Sequence, residues 1–188
     1  MTTKVAVVVG SLRKDSVNRV FAEALGKLAR PKLEFHFVEI GDLPLYNQDL
    51  EGDLPAPVQR FKREIEAADA VLLVTPEFNR TFSAALKNAI EWGSRPWGKN
   101  SWAGKPAAII GATLGAVGTA AAQSQLRSVA GAIGLHVIAN PEIYISFQEG
   151  QVVNGEIADG GLKQLLNGWV DGFTDWIGRL TGPVRATA

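Results

Sequence analysis

The 188-residue sequence predicts a doubly wound α/β fold, a five-stranded parallel sheet with helices on both faces. Three observations predict it. Apolar runs of strand length alternate with segments of helical period five times along the chain, and no longer period repeats. The first run, Val5-Ala6-Val7-Val8-Val9, is apolar without alternation, as expected of a central strand buried on both faces. Polar loops follow the first, third and fourth runs, all at carboxyl ends, where sheets of this class bind ligands. For strand order 2-1-3-4-5 the switch point lies between strands one and three.

The elements follow in order. After Gly10 the first helix starts near Val17, carries Phe21, Ala24, Leu25 and Leu28 at helical spacing, and is stopped by Pro31. Leu33 to Ile40 alternates, as a strand nearer the sheet edge does, and holds His36. Gly41 to Pro57 is a long connection rich in proline and acids. Pro57 to Ala68 reads as a second helix with Val58, Phe61 and Ile65 on one face. Ala70 to Val74 is a third, buried strand, and helix resumes from Ser83 to Trp92. A polar, Trp-bearing loop, Gly93 to Lys105, precedes strand four, Pro106 to Ile110, and Gly111 to Gly118 is a glycine-rich turn. A helix from Thr119 to about Ile133 leads through Gly134 to strand five, Leu135 to Ala139, which holds His136. Pro141 to Val153 reads as extended, Asn154-Gly155 as a turn. Leu162 to Leu180 repeats apolar residues at three and four, the pattern of a final amphipathic helix that Gly168, Gly172 and Gly178 weaken.

Composition narrows the function classes. The length suits one domain, residues 1–188, with a sizeable core. Lys+Arg and Asp+Glu number 19 each, so no net field favours nucleic acid or an anionic membrane. Cysteine is absent, which removes disulfides, thiolate catalysis and thiolate metal sites, and no metal ligand set is expected. The N-terminus enters a strand without the design of a signal peptide, and no apolar run approaches ~18 residues. A soluble, cytoplasmic protein is expected.

The three loops supply the chemistry. The first lacks G-x-G-x-x-G and G-x-x-x-x-G-K-[ST], so neither a dinucleotide fingerprint nor a P-loop is supported. It offers instead Ser11, Arg13, Ser16 and Asn18 at a helix start, where Val17 is the first helical residue and free N–H groups attract an anion. Hydroxyls, an amide and one guanidinium suit a single terminal phosphate. The plainer role for the same serines is helix capping. The second loop, Thr75 to Asn79, begins at Pro76 and offers the N–H groups of Glu77, Phe78 and Asn79 beside an aromatic ring. The third, with Gly111, Thr113 and Gly115, is bare backbone that a flat ring can approach. A monophosphate joined to a flat, hydrogen-bonding ring describes FMN.

The motifs GSLRKDSVN at Gly10 to Asn18, TPEFN at Thr75 to Asn79, ALKNAIEW at Ala85 to Trp92, RPW at Arg95 to Trp97 and AGKPAAI at Ala103 to Ile109 make the resemblance specific. The chain resembles the NADPH-dependent FMN reductase family of flavodoxin-like proteins, in particular the bacterial quinone reductases also described as chromate reductases. The resemblance implies a flavodoxin-like three-layer sandwich. It implies that Ser11, Arg13, Ser16 and Asn18 hold the FMN phosphate and that Pro76, Glu77, Phe78 and Asn79 line the ring, Phe78 standing where many relatives carry Tyr. It also implies a ping-pong course in which NADPH or NADH gives hydride to the flavin and leaves, after which a quinone or another oxidant takes the electrons. The flavin carries the chemistry, so no catalytic side chain is expected. Arg95 is a candidate for a NADPH phosphate or an anionic oxidant. A homodimer or homotetramer is expected, with the third helix and Trp92, Trp97 and Trp102 at an interface and Arg127, Glu142 and Tyr144 as polar contacts between dimers.

Two rival classes differ from this one in the residues they need. A Ser/His/Asp hydrolase would need G-x-S-x-G and a loop histidine, whereas both histidines fall in strands. A flavodoxin-like electron carrier or flavin-binding module without reductase activity stays open at this point, because a fold hosts many functions. The neutral charge and the Trp-bearing loop weigh against it.

Overall fold

A computed structural model describes residues 2–182. Five parallel strands follow the order β2-β1-β3-β4-β5: β1 (Thr3–Val9), β2 (Leu33–Val38), β3 (Ala70–Val74), β4 (Pro106–Thr113) and β5 (His136–Val137). This is the flavodoxin order. Side-chain alternation sorts the sheet into two faces. Val5, Val7 and Val9 of β1 join Leu72 of β3 and Ile110 of β4 beneath α1 (Val17–Ala29) and α5 (Gly160–Thr181). Ala6, Val8, Leu73 and Ile109 face α2 (Ala56–Glu66), α3 (Ala84–Ser94) and α4 (Ala120–Ala132). The edge position of β2 explains its mixed burial, and both histidines lie in strands as expected.

The fifth strand departs from expectation. It is split: β5 pairs with the start of β4, and β6 (Tyr144–Ser146) pairs with Gly111, Ala112 and Thr113 at its end. The register leaves extra residues between β5 and β6 that have no place in the ladder, and Pro141, which lacks an N–H, lies among them. With β6 beside it, β4 runs three residues past Ile110, so Gly111 is a strand residue and the turn begins at Leu114. The Asn154-Gly155 turn is present, both residues at positive φ, and joins β7 (Val152–Val153) to β8 (Glu156–Ile157).

Burial on α5 falls on Leu162, Leu166, Trp169, Val170, Phe173 and Ile177, so packing and not propensity holds that helix. Gly168 and Gly178 face solvent with nothing in the way of an added Cβ. Gly168→Ala is expected to raise stability by about 0.5–1 kcal/mol through helix propensity alone. An unchanged or lowered urea midpoint at constant m would contradict this.

Candidate functional site

The three loops meet because backbone bonds carry the parallel ladder past the strands. Gly10 N–H donates to Val74 O at 2.8 Å and Thr75 N–H to Ile110 O at 3.0 Å. Gly10 is required by close approach: a Cβ there would stand 2.6 Å from Ser83 Oγ, the N-cap of α3. Loop one therefore lies directly on the start of α3, and a crevice opens between the β1 and β3 ends.

At the start of α1, Ser16 is the N-cap and its Oγ accepts from Arg19 N–H at 3.2 Å, leaving its hydroxyl proton to donate. The N–H groups of Val17 and Asn18 are first-turn donors without intrahelical acceptors. Ser11 is partly open, and exposed Arg13 makes no hydrogen bond among the described residues. Hydroxyls, first-turn N–H groups and one uncommitted guanidinium fit a phosphate. Asn18 joins this set through its backbone and not its side chain. Its Nδ2 donates to Ala112 O and its Oδ1 accepts from Ala112 N–H, both at 2.9 Å and both buried. The amide docks α1 onto β4.

Loop two is a tight hairpin. Phe78 and Thr81 exchange N–H···O bonds of 3.0 Å, with Asn79 at φ 51° and Arg80 at φ 67°, the two left-handed residues of a type I′ turn. Phe78 N–H is thus consumed within the turn and is not a donor to a ligand. The exposed Phe78 ring and the N–H groups of Glu77 and Asn79 remain. The Glu77 carboxylate turns away, accepting the N–H of Ala122 at 3.1 Å in the first turn of α4, where the helix dipole favours a negative group. Pro76 packs against loop one.

In the third loop, Gly111 is not bare backbone. A Cβ there would collide with Thr75 O and stand 2.5 Å from Thr119 Oγ1, so this glycine serves packing inside the chain. Thr113 Oγ1 accepts from Gly115 N–H at 3.3 Å, and Gly115 lies open to solvent. Leu12, Phe78, Leu114 and Val117 are exposed apolar side chains on the loops that follow β1, β3 and β4. A phosphate cradle beside an apolar, N–H-bearing crevice fits FMN.

Arg95 is not brought to this crevice. It caps the C-terminus of α3, and an 11-residue helix places it about 16 Å from the Ser83 end that touches Gly10. The tryptophans also differ from expectation. Trp92 and Trp102 are fully buried within the chain, where their N–H groups donate to Pro44 O at 2.7 Å and Ile90 O at 3.1 Å; Trp97 is 88% exposed. Leu86, Ala89 and Ile90 likewise face the core and not a neighbour. The reason is that the long loops need anchors. Asn88 and Trp92 hold the 41–55 connection through Pro44 O, and Tyr46 packs edge-on to Trp92. Lys62, missed in the sequence because it sits among the charges of α2, is 7% exposed and donates to Gly93 O and Lys99 O. Burial pushes its ammonium pKa down.

Arg127, Glu142 and Tyr144 form a network within one chain. Arg127 Nε lies 2.8 Å from Glu142 Oε1, close enough for an ion pair though out of line for a hydrogen bond. Tyr144 donates to Glu142, and that bond pushes its phenol pKa up.

A parallel sheet of this order with a phosphate cradle at its switch point defines a flavodoxin-like mononucleotide-binding protein. More particularly, the chain belongs to the NADPH-dependent FMN reductase family, whose model matches residues 3–150. It is 47% identical over 178 residues to a 2-hydroxy-1,4-benzoquinone reductase of Burkholderia sp, covering 94% of this chain and 97% of that one. It is 42% identical to a quinone reductase of Pseudomonas putida, over 92% and 94% of the two chains. Among solved structures it resembles the flavoenzyme NAD(P)H:(acceptor) oxidoreductase FerB from Paracoccus denitrificans, with TM-score 0.92, 47% identity and coverage of 95% and 98%.

The roles of Arg13 and Asn18 are expected to separate by experiment. Arg13→Ala should weaken FMN roughly ten- to a hundredfold with little change in apoprotein stability. Asn18→Ala, which leaves the Ala112 N–H and C=O buried without partners, should cost about 2–4 kcal/mol of stability. Fluorescence titration of FMN and urea unfolding of the apoproteins check both, and a reversed pattern would exchange their roles.

Proposed function

We propose that the chain is an FMN-dependent NAD(P)H oxidoreductase that reduces quinones. It works as one FMN-binding domain in the cytoplasm, where the dinucleotide donors are found, and reduces chromate and other oxidants as side reactions. The carrying observation is the crevice: a phosphate cradle on one side, and on the other exposed apolar side chains with backbone N–H donors. Loop two's one acid, Glu77, is spent on α4. When bound, FMN supplies hydride acceptance from a reduced nicotinamide and delivery to an oxidant. Ser11, Arg13, Ser16 and the first turn of α1 fix the phosphate, while Pro76 and the N–H groups of Glu77 and Asn79 orient the ring edge. Phe78, Leu12 and Leu114 exclude water beside it. An open crevice discriminates little by shape, which supports a broad range of oxidants. The names of the quinone reductases among its relatives support the quinone as acceptor. Donor and oxidant share one crevice, so double-reciprocal plots for NADPH against a benzoquinone are expected to be parallel. Converging lines would mean that both bind at once and would end the shared-crevice reading.

Self-association belongs to the same proposal. Trp97, and Leu45 at 83% exposure, flank the C-terminal half of α3, where an apolar pair of that exposure favours a second copy. A two-fold axis across α3 sets the two helices antiparallel and brings Arg95 of the partner subunit toward the Ser83 end, beside the crevice. Arg95 then meets substrate in trans, in a homodimer or in a homotetramer to which Arg127, Glu142 and Tyr144 contribute polar contacts. Light scattering at micromolar concentration is expected to give ~40 or ~80 kDa, two or four symmetric copies. A mass near 20 kDa for fully active protein would overturn this.

A further inference from the structure

Two Asn-Gly pairs occur in the sequence, Asn154-Gly155 and Asn167-Gly168, and the fold treats them differently. Such a pair carries a latent reaction of its own. The main-chain nitrogen of the glycine can attack the side-chain carbonyl carbon of the asparagine, since no Cβ on the second residue stands in the way. The reaction sets two conditions. The glycine N–H must be free, and the peptide between the two residues must be able to turn over and bring its nitrogen to Cγ.

Both conditions are met at 154–155. The pair is the whole loop between β7 and β8, whose ladder sets Val153 against Glu156 and Val152 against Ile157. Asn154 at φ 52° and Gly155 at φ 72° make a type I′ turn. Asn154 is exposed, and neither its side-chain amide nor the Gly155 N–H makes a hydrogen bond among the described residues. Joining the Gly155 nitrogen to Cγ turns the 154–155 peptide from its I′ orientation toward that of a type II′ turn. Both turns keep φ positive at the first central residue, both serve two-residue hairpins, and glycine at the second accepts either sign of φ. The hydrogen bond that holds this peptide comes from Lys27 Nζ to Asn154 O, at 3.4 Å and open to water, which is a weak restraint. Neither condition is met at 167–168. That pair lies inside α5 between the buried Leu166 and Trp169, where the Gly168 N–H belongs to the helical ladder and turning the peptide over would break it.

We propose that Asn154 is a site of spontaneous deamidation and that Asn167 is not. The bond from Gly155 N to Cγ forms as the Cγ–Nδ2 bond breaks, and Nδ2 leaves as ammonia with the proton of the Gly155 N–H. Water then opens the five-membered imide at one of its two carbonyls, giving aspartate or isoaspartate. Isoaspartate routes the main chain through Cβ and lengthens it by one atom, which a two-residue loop of fixed register cannot absorb. The hairpin then loses the pairing that seats Ile157, 4% exposed, in the core. Glu156 and Ile157 face Ala24 and Leu28 across a cleft of about 230 Å³, in the second half of α1 and away from the Ser16 end. The modification is therefore expected to lower stability and to spare FMN binding. It does not depend on the oxidoreductase reading.

Peptide mapping by mass spectrometry, after prolonged incubation of the FMN-loaded protein in neutral buffer, reads both asparagines in one sample. Loss of the amide at Asn154 is expected to be on the order of tenfold or more faster than at Asn167, which reacts only when α5 opens. In urea the two rates should converge. Equal rates in the folded protein would overturn the proposal, and so would a rate at Asn154 that rises on unfolding as steeply as that at Asn167. The aged wild type should show a lower urea midpoint with FMN still bound. Asn154→Gly keeps the I′ turn and has no amide to lose, so its midpoint should survive the same incubation. A matched fall in both proteins, or an unchanged wild-type midpoint while isoaspartate accumulates at residue 154, would overturn the assigned consequence.

Discussion

The site depends on the reciprocal hydrogen bonds between the Asn18 amide and the Ala112 peptide. They join the first turn of α1 to the end of β4, 94 positions away, across the strand that lies between. Phe21 and Leu25 pack the body of α1 on the sheet, and these bonds fix the direction of its first turn and of the free N–H groups there. A buried amide whose acceptor and one of whose donors meet the N–H and C=O of a single residue behaves like one more residue of sheet, and breaking it strands two backbone groups away from water. Gly10 and Gly111 complete the frame by letting loop one and β4 close onto their neighbours with no side chain between.

Much of this frame could be read in the residues. The unbroken apolar run of β1, the spacing of Phe21 and Leu25, and the Asn-Gly turn at 154–155 are local signals, and local physics carried them into the structure. What could not be read depends on distant partners. Nothing near Gly111 says that β6 will lie beside it, so a strand glycine looked like a loop glycine. Phe78 N–H looked available because the Asn79-Arg80 turn lacks the glycine that usually marks a type I′ hairpin. Asn18 and Glu77 stand in the right motifs, yet their side chains act on β4 and α4 and only their backbones face the crevice. The tryptophans depart furthest from what the residues suggest, since Trp92 and Trp102 are buried within the chain. Trp92 lies four residues after Asn88 on one helix face, and that spacing was a usable sign that both serve one loop.

The two ends of α3 then divide the work. At its N-terminus Ser83 meets Gly10 and the crevice; at its C-terminus Gly93 O is held by the buried Lys62 and Trp102 is stacked into the core. Desolvation disfavours the Lys62 ammonium, but its bonds to Gly93 O, which also accepts the Ser101 N–H, and to Lys99 O give the buried group the partners it needs. Such an anchor makes sense where a loop must present an exposed Trp97 and Arg95 in a fixed direction. Loops without packing are the first parts of a fold to open.

The Asn18 and Glu77 side chains are spent on scaffold, and this follows from what a flavin needs. The cofactor brings its own acid, base and electron chemistry, so a titratable side chain aimed at the ring would add a pH-dependent charge without adding a step. Glu77 shows how the fold avoids that charge. Its carboxylate sits at the N-terminal end of α4, bonded to Ala122 N–H, and so braces the hairpin whose backbone faces the crevice. Fixed N–H dipoles keep the same value across the pH range in which carboxylates and histidines change theirs. A crevice lined by them holds one electrostatic environment across that range.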